Sequence, residues 1–152
     1  MATSQVTVGV DACPVGWFAT VIDANRQRME TFEEFEDLLG TYSEAHQILV
    51  DIPIGLPRDE RRQCDHDAKE LLGCRALSVF YPPCRTAAEK NDYQEANDEH
   101  REQTGHGLSR QAYNISPKIL EVDGVVGDGY DGIVRENHPE LCLAALNDQP
   151  IA

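Results

Sequence analysis

Residues 7–17 read TVGVDACPVGW, and their alternation decides the fold. Val6, Val8 and Val10 fall on one side of an extended chain, and Thr7, Gly9 and Asp11 on the other, as a half-buried strand requires. The strand is expected over 5–11, closing on the ionisable Asp11, before ACPVG turns the chain into a second strand at 17–23 (WFATVID). NRQRMET, 25–31, follows an asparagine turn as a third strand and completes a meander. An acid closing a buried strand costs free energy unless something offsets its charge. Asp11 therefore needs a reason.

Working outward, TFEEFEDLLG (31–40) has a helical period, with Thr31 as cap, Glu34 completing a capping box and Gly40 as stop. Phe32, Phe35, Leu38 and Leu39 share its apolar face. HQILVDIP (46–53) is the short apolar run of a strand buried on both sides, and it too closes on an acid, Asp51. A helix is expected at 60–73, an irregular segment at 74–85, and a very polar helix, exposed or a flap, at 86–103. The stretch 105–126 is helical by period, with Ala112, Ile115, Ile119 and Val122 in one stripe; Pro117 should kink it or restart it with Ser116 as cap. GVVGDGYDG (124–132) lacks a P-loop lysine and reads as a turn. A last strand (132–137) and a helix with Pro139 in its first turn complete the order β-β-β-α-β-α-(insert)-β-α. A meander followed by αβ units describes a ribonuclease-H-like α/β fold: a mixed sheet of antiparallel and parallel strands, flanking helices and a helical insertion. Other α/β folds accept the same string.

The length, 152 residues, suits a single domain. The charge balance is unusual: 27 acids face 13 Lys and Arg, of which only Lys69, Lys90 and Lys118 are lysine. Such a surface repels polyanions at moderate salt. Either the protein avoids nucleic acid, or its acidity is a halophilic adaptation to molar salt, where the Debye length falls to about 3 Å and the repulsion is screened. No basic leader and no membrane-length apolar run is visible, so the expectation is a cytoplasmic protein that does not engage membranes. Five cysteines, with no C-x-x-C pair, read as reduced and partly buried thiols. Cys64, Cys74 and Cys84, with His66 nearby, are spaced too widely for a zinc knuckle.

If the first and fourth strands lie side by side and parallel, Asp11 and Asp51 stand at matching ends, about 4.8 Å apart across the sheet. Two carboxylates that close need a cation between them. Mg2+ or Mn2+ is the hard, oxygen-seeking ion that suits them. Glu136, ending the last strand, and Glu140, in the first turn of the next helix, extend the set. Such a set can hold two metals about 3.5–4 Å apart, as phosphodiester hydrolysis uses. A strand-end acid also commonly caps a loop by accepting backbone N–H bonds. Three such acids leave both readings standing.

The blocks VGVDACPVGW, VDIPIGLP, RQCDHDAKELLGCRALSVFYPPCR, GLSRQAYNISPKILEVD and ENHPELCLAAL follow one another as in the domain-of-unknown-function family 429. The chain resembles that family from about residue 6 to its C-terminus, and the family is described as predicted nucleases of ribonuclease-H-like fold. The resemblance implies that Asp11, Asp51, Glu136 and Glu140 occupy motif positions and would ligate Mg2+ or Mn2+. Arg75, Ser78, Arg85, Ser109, Gln111, Asn114 and Lys118 either position phosphates or satisfy local acids and backbone groups. His138 acts as an acid/base beside the metal or caps the last helix. Family members usually continue past LNDQPIA, so the chain is expected to lack a C-terminal helix and its metal-binding acid. It would then bind metal weakly and expose apolar surface that recruits a second subunit.

Three functions follow. The first is a metal-dependent nuclease or phosphodiesterase acting at high salt, with Asp11, Asp51 and Glu136 as ligands. The second is a non-catalytic binding module. The third is a metal-dependent hydrolase or phosphotransferase of a small phosphorylated molecule. No nucleophile elbow or paired base supports cysteine or serine catalysis.

Overall fold

The computed structural model describes residues 6–24, 26–127 and 132–147. The asparagine turn expected at residue 25 and residues 128–131 of the glycine-rich turn lie outside them. The chain divides into two compact units, residues 1–54 with 121–137, and residues 55–120 with 138–152.

The first unit is built on β1 (Thr7–Cys13), β2 (Gly16–Asp23), β3 (Arg26–Phe32), β4 (Gln47–Val50) and β5 (Val134–Glu136), with α1 (Phe35–Thr41) between β3 and β4. These strands form one sheet in the order β3-β2-β1-β4-β5. The meander pairs are antiparallel, and β1–β4 and β4–β5 are parallel. This is the mixed α/β sheet expected of a ribonuclease-H-like fold. Register explains its core. Val8 pairs with Val21 and Ile48, and Val10 with Ala19 and Val50, so these side chains share one face, and all are buried. Phe35 and Leu38 of α1 are also buried, and the Phe35 ring meets Trp17 edge-on at 5.1 Å.

Two expectations change. The first strand runs on to Cys13, because it closes a tight hairpin in which Cys13 pairs with Gly16. Asp11 therefore lies inside β1, one residue past the last β1–β4 pair, Val10–Val50. The hairpin needs its glycine for packing. Gly16 sits at φ +131°, and a Cβ there would stand 2.1 Å from the Phe32 carbonyl oxygen.

The capping box also gives way. β3 keeps Thr31 and Phe32 as its last residues, paired with Phe18 and Trp17, so α1 begins only at Phe35 and Glu34 supplies no side-chain cap. The cap comes from Glu121, near the end of the long helix α5 (Arg110–Val126). Its Oε1 accepts the Phe35 N–H at 2.7 Å and the Trp17 indole N–H at 2.7 Å. A carboxylate at a helix N-terminus offsets both the orphan donors and the dipole.

The second unit is helical: α2 (Gln63–Leu72), a 3-10 segment (Gly73–Ser78), α3 (Arg85–Ala88), α4 (Tyr93–Thr104), residues 110–120 of α5, and α6 (Pro139–Leu146). Ala68, Leu72, Val79 and Ala144 form one cluster, with Leu141 packed on it. Ala96, Leu108 and Ala112 form another, flanked by Phe80 and Tyr113. The polar helix begins at Tyr93, later than expected, where the Asp92 side chain caps it by accepting the Gln94 and Glu95 N–H groups. It is not a flap: Ala96, Asn97 and His100 are buried, and Asn97 Oδ1 accepts the Leu108 N–H at 2.9 Å. The Cys84 N–H donates to His100 Nδ1 at 3.1 Å. Burial, reinforced by the nearby Arg61 and His106 charges, holds the His100 pKa below its ordinary value.

Helix α5 runs unbroken through Pro117. Ser116 does not cap a new helix; its buried hydroxyl donates to the Ala112 carbonyl one turn back at 2.9 Å. The buried line Ala112, Ser116, Ile119 and Val122 continues past the proline, which faces solvent. Packing on both sides of the proline keeps the segment helical.

Candidate functional site

In the first unit, the Asp51 N–H donates to the Val10 carbonyl at 3.0 Å, so the parallel register carries one residue beyond β4 and sets Asp51 beside Asp11. Both acids are exposed and follow buried valines, which places them on the face opposite Val10 and Val50. The 4.8 Å spacing between strands leaves room for one cation shared by the two carboxylates. The two acids are neighbours as the parallel pairing implied, but Asp11 lies within β1 and not at its end.

Glu136 is arranged differently. It ends β5 opposite Val50, in register with the buried face, and its carboxylate accepts the Ile54 N–H at 2.8 Å in the loop after β4. The Asn137 N–H follows by donating to the Val50 carbonyl at 2.8 Å. Glu136 thus performs the loop-capping task that the sequence left open, and the trio does not share one face of the sheet.

The second unit holds the other polar candidates. His138 precedes α6 without a side-chain cap; its Nε2 stands 3.3 Å from the Ser78 carbonyl oxygen. Its Nδ1 lies 3.3 Å from Glu140 Oε2, yet off hydrogen-bonding alignment, so that this buried nitrogen has no hydrogen-bond partner. The Ser78 hydroxyl donates to the Arg75 carbonyl at 2.9 Å, closing the 3-10 segment. Arg75 and Glu140, with Leu72, Pro139 and Leu143, line a groove of about 200 Å³. Arg85 starts α3, its N–H donating to the Pro57 carbonyl at 2.9 Å. Ser109 precedes α5 and accepts the Ala112 N–H at 3.1 Å, a cap. Gln111, Asn114 and Lys118, spaced i, i+3 and i+7, form a polar stripe along α5.

The five cysteines are thiols, none in a disulfide, and Cys84 is buried. Cys64, Cys74 and Cys142 are exposed, where partly buried thiols were anticipated. Among the described residues, the group that brings three ligand atoms within 4.8 Å of one another is His66, Asp67 and Glu70, exposed on α2. It is an acidic cluster able to meet a metal ion, and sequence reading passed it over because its members lie on one polar helix face. The strand-end trio Asp11, Asp51 and Glu136 does not meet that criterion. Asp11 and Asp51 remain two adjacent oxygen donors of the kind that Mg2+ or Mn2+ takes, so the residues present fit a hard divalent ion. No helix among the described residues is long and apolar enough to cross a membrane.

A family model described as "Protein of unknown function (DUF429)" matches residues 9–152. No curated protein and no solved structure matches the chain.

Proposed function

We propose that this chain, which belongs to the DUF429 family, is a divalent-metal-dependent phosphodiesterase whose metal is held by Asp11 and Asp51. One observation carries the reading: the Asp51 N–H to Val10 carbonyl bond, which sets two exposed carboxylates in adjacent register on one face of the sheet. Two neighbouring anions destabilise each other, and a shared cation removes that cost. A bound Mg2+ or Mn2+ would supply a deprotonated water and neutralise charge on a phosphate. The residues supply position: β1 carries Asp11, the ladder bond to Val10 fixes Asp51 one residue past β4, and Gly9, two residues before Asp11 on the same face, has open space above its Cα. A phosphodiester of nucleic acid is the substrate class, and the charge of −14 requires high salt for it to approach.

A second reading, a non-catalytic binding module, is favoured by the commitment of Glu136 to the Ile54 N–H. The two separate by experiment. Cleavage of labelled single-stranded DNA and RNA at molar salt with Mn2+, abolished in Asp51→Asn, supports the enzyme. Saturable Mn2+ binding without cleavage of any polymer or of small phosphodiesters supports the module.

A further inference from the structure

The neighbour of Asp11 on the other side from Asp51 is an aromatic ring. Asp11 pairs with Phe18 of β2, and directly opposed residues of an antiparallel pair share a face. Phe18 is exposed, while Trp17 and Ala19, before and after it, are buried on the core side. Asp51, Asp11 and Phe18 therefore form one row across the sheet, with about 4.8 Å from each to the next. The next row on this face holds Gly9, Thr20 and Met29, and Met29 is 69% exposed. A Cβ at Gly9 would meet nothing within 4 Å, so the floor beside Phe18 is open.

We propose that Phe18 is a substrate-positioning residue, which stacks a base of a single-stranded nucleic acid whose phosphate lies at Asp11 and Asp51. The inference rests on the metal site proposed above. One strand spacing is comparable to the span from a nucleotide's phosphate to its own base, so a single nucleotide can reach both the ion and the ring. Stacking suits every base, because each has a π face. In a duplex those faces are taken up by neighbouring bases, so the ring selects unpaired strand. Charge disfavours the other occupants of an open sheet face. An apolar protein surface seated here would desolvate two carboxylates. A second copy, related by a two-fold axis, would set the same acids against their own counterparts. A nucleotide meets neither conflict once a divalent ion is held, since its phosphate faces the ion and its base the ring.

Fluorescence anisotropy of short labelled oligo-dT in molar KCl tests the proposal, with Ca2+, another oxygen-seeking ion, replacing Mn2+ and the probe verified intact. Phe18→Ala should weaken binding about tenfold. Phe18→Leu, which keeps apolar bulk without the flat ring, should weaken it similarly, and Phe18→Trp should retain it. An abasic oligomer should bind the parent protein and Phe18→Ala alike, and duplex should bind more weakly than oligo-dT. The Mn2+-induced rise in Tm should persist in all three variants, which separates a lost stack from a lost metal site. No binding of oligo-dT by the parent protein overturns the proposal, as does parental affinity in Phe18→Ala or Phe18→Leu. So does an equal loss for abasic and base-bearing strands. No Mn2+ rise in the parent protein overturns the metal site instead, and the oligo-dT comparison still decides the stack.

Discussion

The strand ends of the first unit and the 3-10 segment of the second hold charged groups by opposite means. Asp11 and Asp51 are placed by the backbone ladder, through Val10–Val50 pairing and the Asp51 N–H bond, while both carboxylates stand exposed. In the second unit the side chains build the backbone. Lys69 Nζ donates to the Ala76 carbonyl at 2.8 Å and also to the Val79 carbonyl, and it lies 5.1 Å from the Tyr81 ring centroid. Neutralising a charge should therefore change ligand binding in the first region and folding in the second.

Four experiments strain that contrast. The largest effect belongs to the hairpin. Gly16→Ala places a Cβ against the Phe32 carbonyl at a positive φ, and should cost about 3–5 kcal/mol in urea unfolding. Next comes Lys69→Met, which removes the Nζ donor from the Ala76 and Val79 carbonyls and leaves the first only the Val79 N–H; it should cost about 1–3 kcal/mol. A cost under about 0.5 kcal/mol would show that the 3-10 segment holds without it.

Third is pH. His100 is buried with its pKa lowered below the ordinary 6.5, so the folded state favours the neutral ring. Its contribution is present above the unfolded pKa and is lost as pH falls through about 6.5 toward the folded value. Stability should decline as pH falls below about 6.5, by at most about 1.4 kcal/mol per pH unit for one proton. His100→Gln, which keeps an acceptor for the Cys84 N–H, should flatten that slope. The smallest effect is Asp11→Asn without metal, within about 0.5 kcal/mol of the parent protein.

The meander, the parallel fourth strand and the Asp11–Asp51 pair were legible because alternation of period two, with one face buried, fixes both face and register. The α1 boundary was not. Its cap comes from Glu121, 86 residues from Phe35, and no local pattern announces a partner that distant. At Pro117 a kink or a restart was expected, and only the restart fails: the buried side chains on either side of it hold one helix. Glu136 was visible as a strand-end acid. Whether it faces a metal or the Ile54 N–H depends on the path of the loop after β4, which residue types do not specify.

Thermal unfolding of the chain with increasing Mn2+ tests the central claim most directly, comparing the parent protein, Asp11→Asn, Asp51→Asn and a His66→Ala/Glu70→Gln double variant. The account predicts a saturable rise in Tm that either aspartate variant abolishes and the helix α2 double variant retains. A rise that survives both aspartate changes and disappears in the double variant would contradict it.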